Sequence, residues 1–138
     1  MIRVGIVGLQ PGRGWGWAAH LPALRGLSQQ YELAGVANTS LASAEAAARA
    51  CGLPRAFASA TELAQSPDID LVVVTVKVPA HAAIVEAALE AGKHVYCEWP
   101  LAFTLEQAEE LAALAKAKGV KAMIGLHLRG SPALRYVA

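Results

Sequence analysis

The chain has 138 residues, of which 55% are hydrophobic and 17% charged, and its formal net charge is +1. That length suits one domain around one buried core. So apolar a composition fits a sheet covered on both faces, or a surface meant to be covered by a partner. A nearly neutral balance without a basic block argues against nucleic acid or an anionic membrane as direct partner, and no apolar run reaches spanning length.

The first residues enter an apolar run at once, so no signal peptide is expected and the setting is read as cytoplasmic. Cys51 and Cys97 form no spaced framework and are expected to be buried, reduced thiols.

Strand and helix patterns alternate along the chain. Residues 2–7 read as a buried strand ending at Gly8. Residues 15–29 read as helical, interrupted near Pro22, which lacks the N–H a helix needs. Residues 32–37 form a second strand, and residues 41–51 a helix stopped by Gly52. Residues 56–57 are a short third strand. Ser59 and Glu62 have capping-box spacing before a short helix. The run Leu71-Val72-Val73-Val74, within a strand over 70–76, is what a central parallel strand requires. A helix over 80–91 stops at Gly92, and a fifth strand covers 93–98. Thr104 and Gln107 open a helix to Lys118 that Gly119 ends, and a sixth strand covers 121–126.

Six strands with helices between most of them predict an α/β doubly wound, mostly parallel Rossmann sheet, helices on both faces, in the order 3-2-1-4-5-6. Ligand is then expected at the carboxyl ends near strands one and four. Residues 1–130 are read as this dinucleotide-binding domain. Ser131-Pro132 has the signature of a helix start, so residues 131–138 read as the beginning of a truncated connecting helix, with a second domain absent.

After the first strand comes Gly8-Leu9-Gln10-Pro11-Gly12-Arg13-Gly14-Trp15-Gly16. Glycines between a buried strand and a helix let a pyrophosphate lie on main-chain N–H groups. The match to G-x-G-x-x-G is incomplete, with Gln10 at the second glycine position and a loop longer than standard. Arg13 is read either as a phosphate contact or as a solvated side chain. Trp15 and Trp17 either cover the dinucleotide or pack.

The second strand ends at Asn38-Thr39-Ser40, where NAD-preferring domains commonly place a carboxylate for the ribose hydroxyls. Asn38 weakens that preference by about tenfold and removes the repulsion of a 2′-phosphate, to which Thr39 and Ser40 can donate. NAD or NADP is the expected cofactor, leaning to NADP.

Three segments together carry a resemblance. They are residues 2–8 with His20-Leu21-Pro22-Ala23-Leu24, then Ala91-Gly92-Lys93-His94-Val95-Tyr96-Cys97-Glu98-Trp99-Pro100, and Arg129-Gly130-Ser131-Pro132. In this order the chain resembles the N-terminal domain of the glucose–fructose oxidoreductase, inositol dehydrogenase and MocA-like (Gfo/Idh/MocA) family, over essentially all of its length. The resemblance implies a second α/β domain with the substrate pocket, and hydride transfer between a nicotinamide cofactor and a sugar- or cyclitol-like hydroxyl. It also implies a homo-oligomer. The family usually reads Glu-Lys-Pro where this chain has Glu98-Trp99-Pro100, and its lysine assists proton transfer. An indole has one N–H donor and no titratable proton to supply, so chemistry relying on that lysine is weakened here. The Glu-Trp pair, the longer Gly-Trp loop and the stretch Lys77-Val78-Pro79-Ala80-His81 also resemble the family's galactose-pathway repressor subgroup. That likeness implies the alternative, a dinucleotide-binding regulatory protein without turnover.

The expected cofactor crevice comprises Gly8, Gln10, Gly12, Arg13, Gly14, Trp15, Asn38, Thr39, Ser40, Val76, Lys77, His81, Glu98 and Trp99. Lys77, at a strand carboxyl end, is the candidate for a replacement acid, or else a solvated or phosphate-facing lysine. His81 is read as a contact near the cofactor, and Glu98 as lying by the nicotinamide ribose. His20 reads as a satisfied, partly buried histidine. His127 and Arg129 line a pocket of the second domain or face solvent. No His, Cys and Asp residues have metal-ligand spacing, and no metal is expected.

Overall fold

A computed structural model describes residues 1–137, apart from the side chains of His127, Leu128, Leu134 and Val137. Six strands form one parallel sheet: β1 (Ile2–Val7), β2 (Tyr31–Ala37), β3 (Ala56–Phe57), β4 (Leu71–Val74), β5 (His94–Glu98) and β6 (Ala122–Gly125). Their order is β3-β2-β1-β4-β5-β6, the doubly wound order expected. β1 pairs β2 on one side and β4 on the other, so the chain reverses its direction of winding between β1 and β4. Side chains fan apart there and leave a crevice at the strand carboxyl ends.

Strand alternation sorts the core into two layers. Val4, Ile6, Val36 and Val73 face one side, under α1 (Leu21–Gly26) and α2 (Leu41–Cys51). Val7, Val72, Val74, Val95 and Cys97 face the other, under α3 (Ala60–Gln65), α4 (His81–Glu90) and α5 (Leu105–Lys118). Each fully buried aliphatic side chain contributes roughly 1.5–3 kcal/mol of burial free energy, which the apolar composition supplies on both faces. β4 stops at Val74 rather than running to residue 76, because β1 ends at Val7. Beyond that point both the backbone N–H and the Oγ1 of Thr75 donate to the Val7 carbonyl, closing the pair.

Helix boundaries follow local chemistry. Ser40 accepts from the Ser43 N–H at the start of α2, and Gly52 ends it with φ 60°. Ser59 and Thr104 cap α3 and α5 through the N–H groups of Glu62 and Gln107. The Glu62 and Gln107 side chains reach back to the N–H of Ala58 and Phe103, one residue before each cap. A short helix, α6 (Pro132–Val137), follows β6 and a 3₁₀ turn.

The expected helix over 15–29 differs most. A π-turn covers Gly16–His20 and runs into α1, which ends at Gly26. The Leu21 N–H bonds to the Gly16 carbonyl, five residues back, so the turn is wide at the point where Pro22 follows. In a regular helix the Pro22 ring would press on the carbonyl of residue 18. The wider turn relieves that contact and also sets His20 at its end.

At the opposite end of the sheet Asp70 ties β4 to β1. Its carboxylate accepts from the Arg3 backbone N–H at 2.8 Å and from Arg3 Nε and Nη2 at 2.9 and 2.7 Å. The Arg3 hydrogen bonds hold the Asp70 carboxyl at about 2, below its ordinary 3.8. A depressed carboxylate stabilises the fold above its unfolded value and loses that contribution as pH falls through the folded value. Asp70→Asn should therefore lower urea stability near neutral pH. The gap from wild type should close as the pH drops from about 4 towards about 2; a gap constant down to pH 2 would contradict this role.

A dinucleotide cradle between β1 and β4

The turn after β1 is shaped by how closely it approaches β4. Gly8 has φ 98°, and a Cβ there would lie 2.7 Å from Val76 Cγ1 and 3.1 Å from the Val76 nitrogen. Both the left-handed backbone and the contact exclude a side chain. Gly16 is buried, and a Cβ there would meet Thr75 Oγ1 at 2.9 Å. It thus serves the close helix–strand packing that the third glycine of the dinucleotide fingerprint provides.

The added length between them is folded away. Gln10 and Arg13 form an isolated antiparallel bridge, with the Arg13 N–H donating to the Gln10 carbonyl at 3.2 Å. Pro11 and Gly12 make the tip of this small turn. Gly12 and Gly14 both have φ 79°, and open space lies where their Cβ atoms would stand. The turn is therefore bare of side chains at Gly8, Gly12 and Gly14, on the path into the first helix, as a pyrophosphate requires. Gln10, Arg13, Trp15, Thr39 and Ser40 are exposed around it.

Asn38 has a different task from the one expected. Its Nδ2 donates to the Leu9 carbonyl at 2.9 Å and lies 3.3 Å from both the carbonyl and Oγ of Ser43. The amide is turned inward, tying the phosphate turn to the first turn of α2 rather than reaching out to a ribose. Its Oδ1 is buried and has no partner among the described residues.

The nicotinamide side also departs from expectation. Glu98 was expected beside the ribose, but its carboxylate is turned onto His20, with Nε2 at 2.5 Å from Oε1 and both side chains largely buried. The His20 ring meets Tyr96 edge-on at 5.1 Å between centroids. Burial, and secondarily the charge of Glu98, raise the Tyr96 hydroxyl above its ordinary value. His81 is only 1% exposed, so a ligand cannot touch it. Its Nδ1 lies 2.7 Å from the Pro100 carbonyl and its Nε2 2.9 Å from that of Val76. Carbonyls only accept, so both contacts are hydrogen bonds at once only when the ring carries two protons. The Trp99-Pro100 peptide is cis, and Trp99 is 63% exposed.

Lys77 is exposed in the turn after β4, which leads into the 3₁₀ turn Val78–Ala80. Cys97 lies beneath the site, with its thiol donating to the Glu98 carbonyl at 3.4 Å. Burial, aided by the Glu98 charge, pushes it up to about 12, so at neutral pH it is a packed thiol rather than a nucleophile. Cys51 is likewise buried and free. Arg129 is exposed, whereas the side chain of His127 lies outside the described set.

Fold order, crevice and glycine turn together define a dinucleotide-binding α/β domain. The family model described as "Oxidoreductase family, NAD-binding Rossmann fold" (GFO_IDH_MocA) matches residues 2–126, and the chain belongs to that family. It is 47% identical to the dehydrogenase aclE of Aspergillus oryzae over 95% of this chain and 37% of that protein. It is also 36% identical to the galactose/lactose metabolism regulatory protein GAL80 of Kluyveromyces lactis, over 95% of this chain and 31% of the relative. Among solved structures, the 3-ketoreductase KijD10 of Actinomadura kijaniata, in complex with TDP-benzene and NADP, superimposes with a TM-score of 0.87 at 31% identity. That match covers 99% of this chain and 42% of KijD10. The chain thus spans about a third of the length of the curated relatives it matches.

Gly8→Ala tests the geometry of the turn. Positive φ and contact with the Val76 backbone should together cost about 1–3 kcal/mol of stability and remove dinucleotide binding. Gly12→Ala meets open space and should cost less in a thermal melt. Equal melting temperatures for the two variants would contradict the close approach to β4.

Proposed function

We propose that this chain is the dinucleotide-binding part of an NAD(P)-dependent oxidoreductase that acts on a sugar- or cyclitol-like hydroxyl. The observation that carries the reading is the side-chain-free turn of Gly8, Gly12 and Gly14 at the switch between β1 and β4. When bound, a nicotinamide would accept or deliver hydride. This chain's share is to hold the pyrophosphate on main-chain N–H groups and to orient the ring towards the ends of β4 and β5. Substrate would come from the remainder of an architecture such as its relatives have. Residues 1–130 form the binding domain in this reading, and 131–138 begin the connection. Exposed apolar side chains in and just after β6, Met123 (63%) and Leu126 (42%), support association with further protein, another copy included.

NADP is the favoured cofactor. No carboxylate stands at the end of β2, and Asn38 is occupied with Leu9 and Ser43. The exposed Thr39 and Ser40 are left beside the start of α2, where hydroxyl and helix N–H groups suit a 2′-phosphate. Lys77 is the one exposed cation of the turn after β4 and remains the candidate acid. In a full-length active protein, Lys77→Met should then lower turnover substantially.

One observation favours a second reading. Trp99 occupies the place of the family's lysine and carries no transferable proton, which suits a regulatory protein that binds the dinucleotide without turning it over. Either reading requires binding. Titration of the chain with NADPH and NADH, followed by nicotinamide fluorescence, should show saturable binding, tighter for NADPH. Tighter binding of NADH would refute the 2′-phosphate argument, and no binding at millimolar concentration would refute the cradle.

A further inference from the structure

Two histidines from different helices hold the two ends of the segment that carries Trp99. His20, at the end of the π-turn, takes the Glu98 carboxylate. His81, the first residue of α4, takes the Pro100 carbonyl at 2.7 Å. Between them the Trp99 indole stands 63% exposed.

The other edge of the His81 ring reaches further. Its Nε2 faces the Val76 carbonyl at 2.9 Å. Val76 is also the residue that Gly8 approaches, its nitrogen 3.1 Å from where a Gly8 Cβ would lie. One buried ring therefore links the turn bearing Trp99 to the residue against which the phosphate turn is packed. The ring itself is 1% exposed; an apolar side chain of the same size would offer neither carbonyl a donor, whereas the imidazole offers one even when neutral. The Cys97 sulfur, 3.4 Å from Nδ1, closes the pocket from β5. A residue needed only to fill this space would not place a nitrogen against each carbonyl.

We propose that His81 is a positioning residue: it locks the turn after β5 to the end of β4 and so fixes where Trp99 stands relative to the dinucleotide cradle. The proposal rests on the reading of that cradle as a dinucleotide site, but its first test needs no ligand. Indole N–H signals of Trp15, Trp17 and Trp99 are followed by proton–nitrogen correlation spectroscopy on the 138-residue chain, with Trp99 assigned through Trp99→Phe. In His81→Ala the Trp99 signal should shift or broaden while that of Trp17 holds. His81→Gln retains an amide donor for one carbonyl and should give an intermediate displacement; it replaces the alanine variant should that one not fold. An unmoved Trp99 signal overturns the proposal.

The second test compares NADH with ADP-ribose, which lacks the nicotinamide. His81→Ala should weaken NADH about tenfold and leave ADP-ribose within about twofold. Equal weakening of both overturns the proposal, since a general loss of fold acts on both. A wild-type chain that binds neither ligand overturns the reading of the cradle, and the indole signals then decide the role of His81 alone.

Discussion

Close approach of the β1 turn to the end of β4 is the constraint on which the site depends. Thr75 bonds back to the Val7 carbonyl through both its N–H and its hydroxyl. That contact holds Thr75 and Val76 where Gly8 and Gly16 must pass. The glycines follow from the approach, and so does the bare main chain offered to a pyrophosphate. The parallel sheet supplies the frame, since only at the switch between β1 and β4 do the connections leave in opposite directions.

Around this approach, buried polar groups act as ties between turns that are distant in sequence. Asn38 joins the phosphate turn to α2, His20 joins the first helical turn to the end of β5, and the His81 ring stands between the turns after β5 and β4. Buried hydrogen bonds of this kind hold a site in one arrangement more than they add stability. They leave Arg13, Trp15, Thr39, Ser40, Lys77 and Trp99 exposed around the crevice, the surface proposed to meet a ligand. Trp99 gives that surface an aromatic wall where the family pattern has a cation, and from this substitution come the two readings of activity.

Much of the fold was legible because its signals are local. The run from Leu71 to Val74 reads as a buried strand, and Gly52 ends α2 where the sequence stops it. Strand ends were less legible, since β4 stops where its partner does, a fact about β1. The π-turn has no local signature, because Pro22 announces a break but not how the backbone widens to admit it. At the site, the glycine turn was readable, whereas the partners of its side chains were not. His20 and Glu98 are 78 residues apart, and nothing in either neighbourhood announces the other. The side chains of Asn38 and His81 point into the protein, a matter of packing that spacing does not encode.

The site is defined by where a dinucleotide lands. Backbone amide mapping by NMR during titration with NADPH tests this directly. The largest, saturable shifts should fall on Gly8, Gly12, Gly14 and Gly16 and on Thr39 and Ser40, with smaller ones at Val76, Lys77 and Trp99. Shifts centred on α5 and β6 instead, or none along the turn after β1, would contradict it.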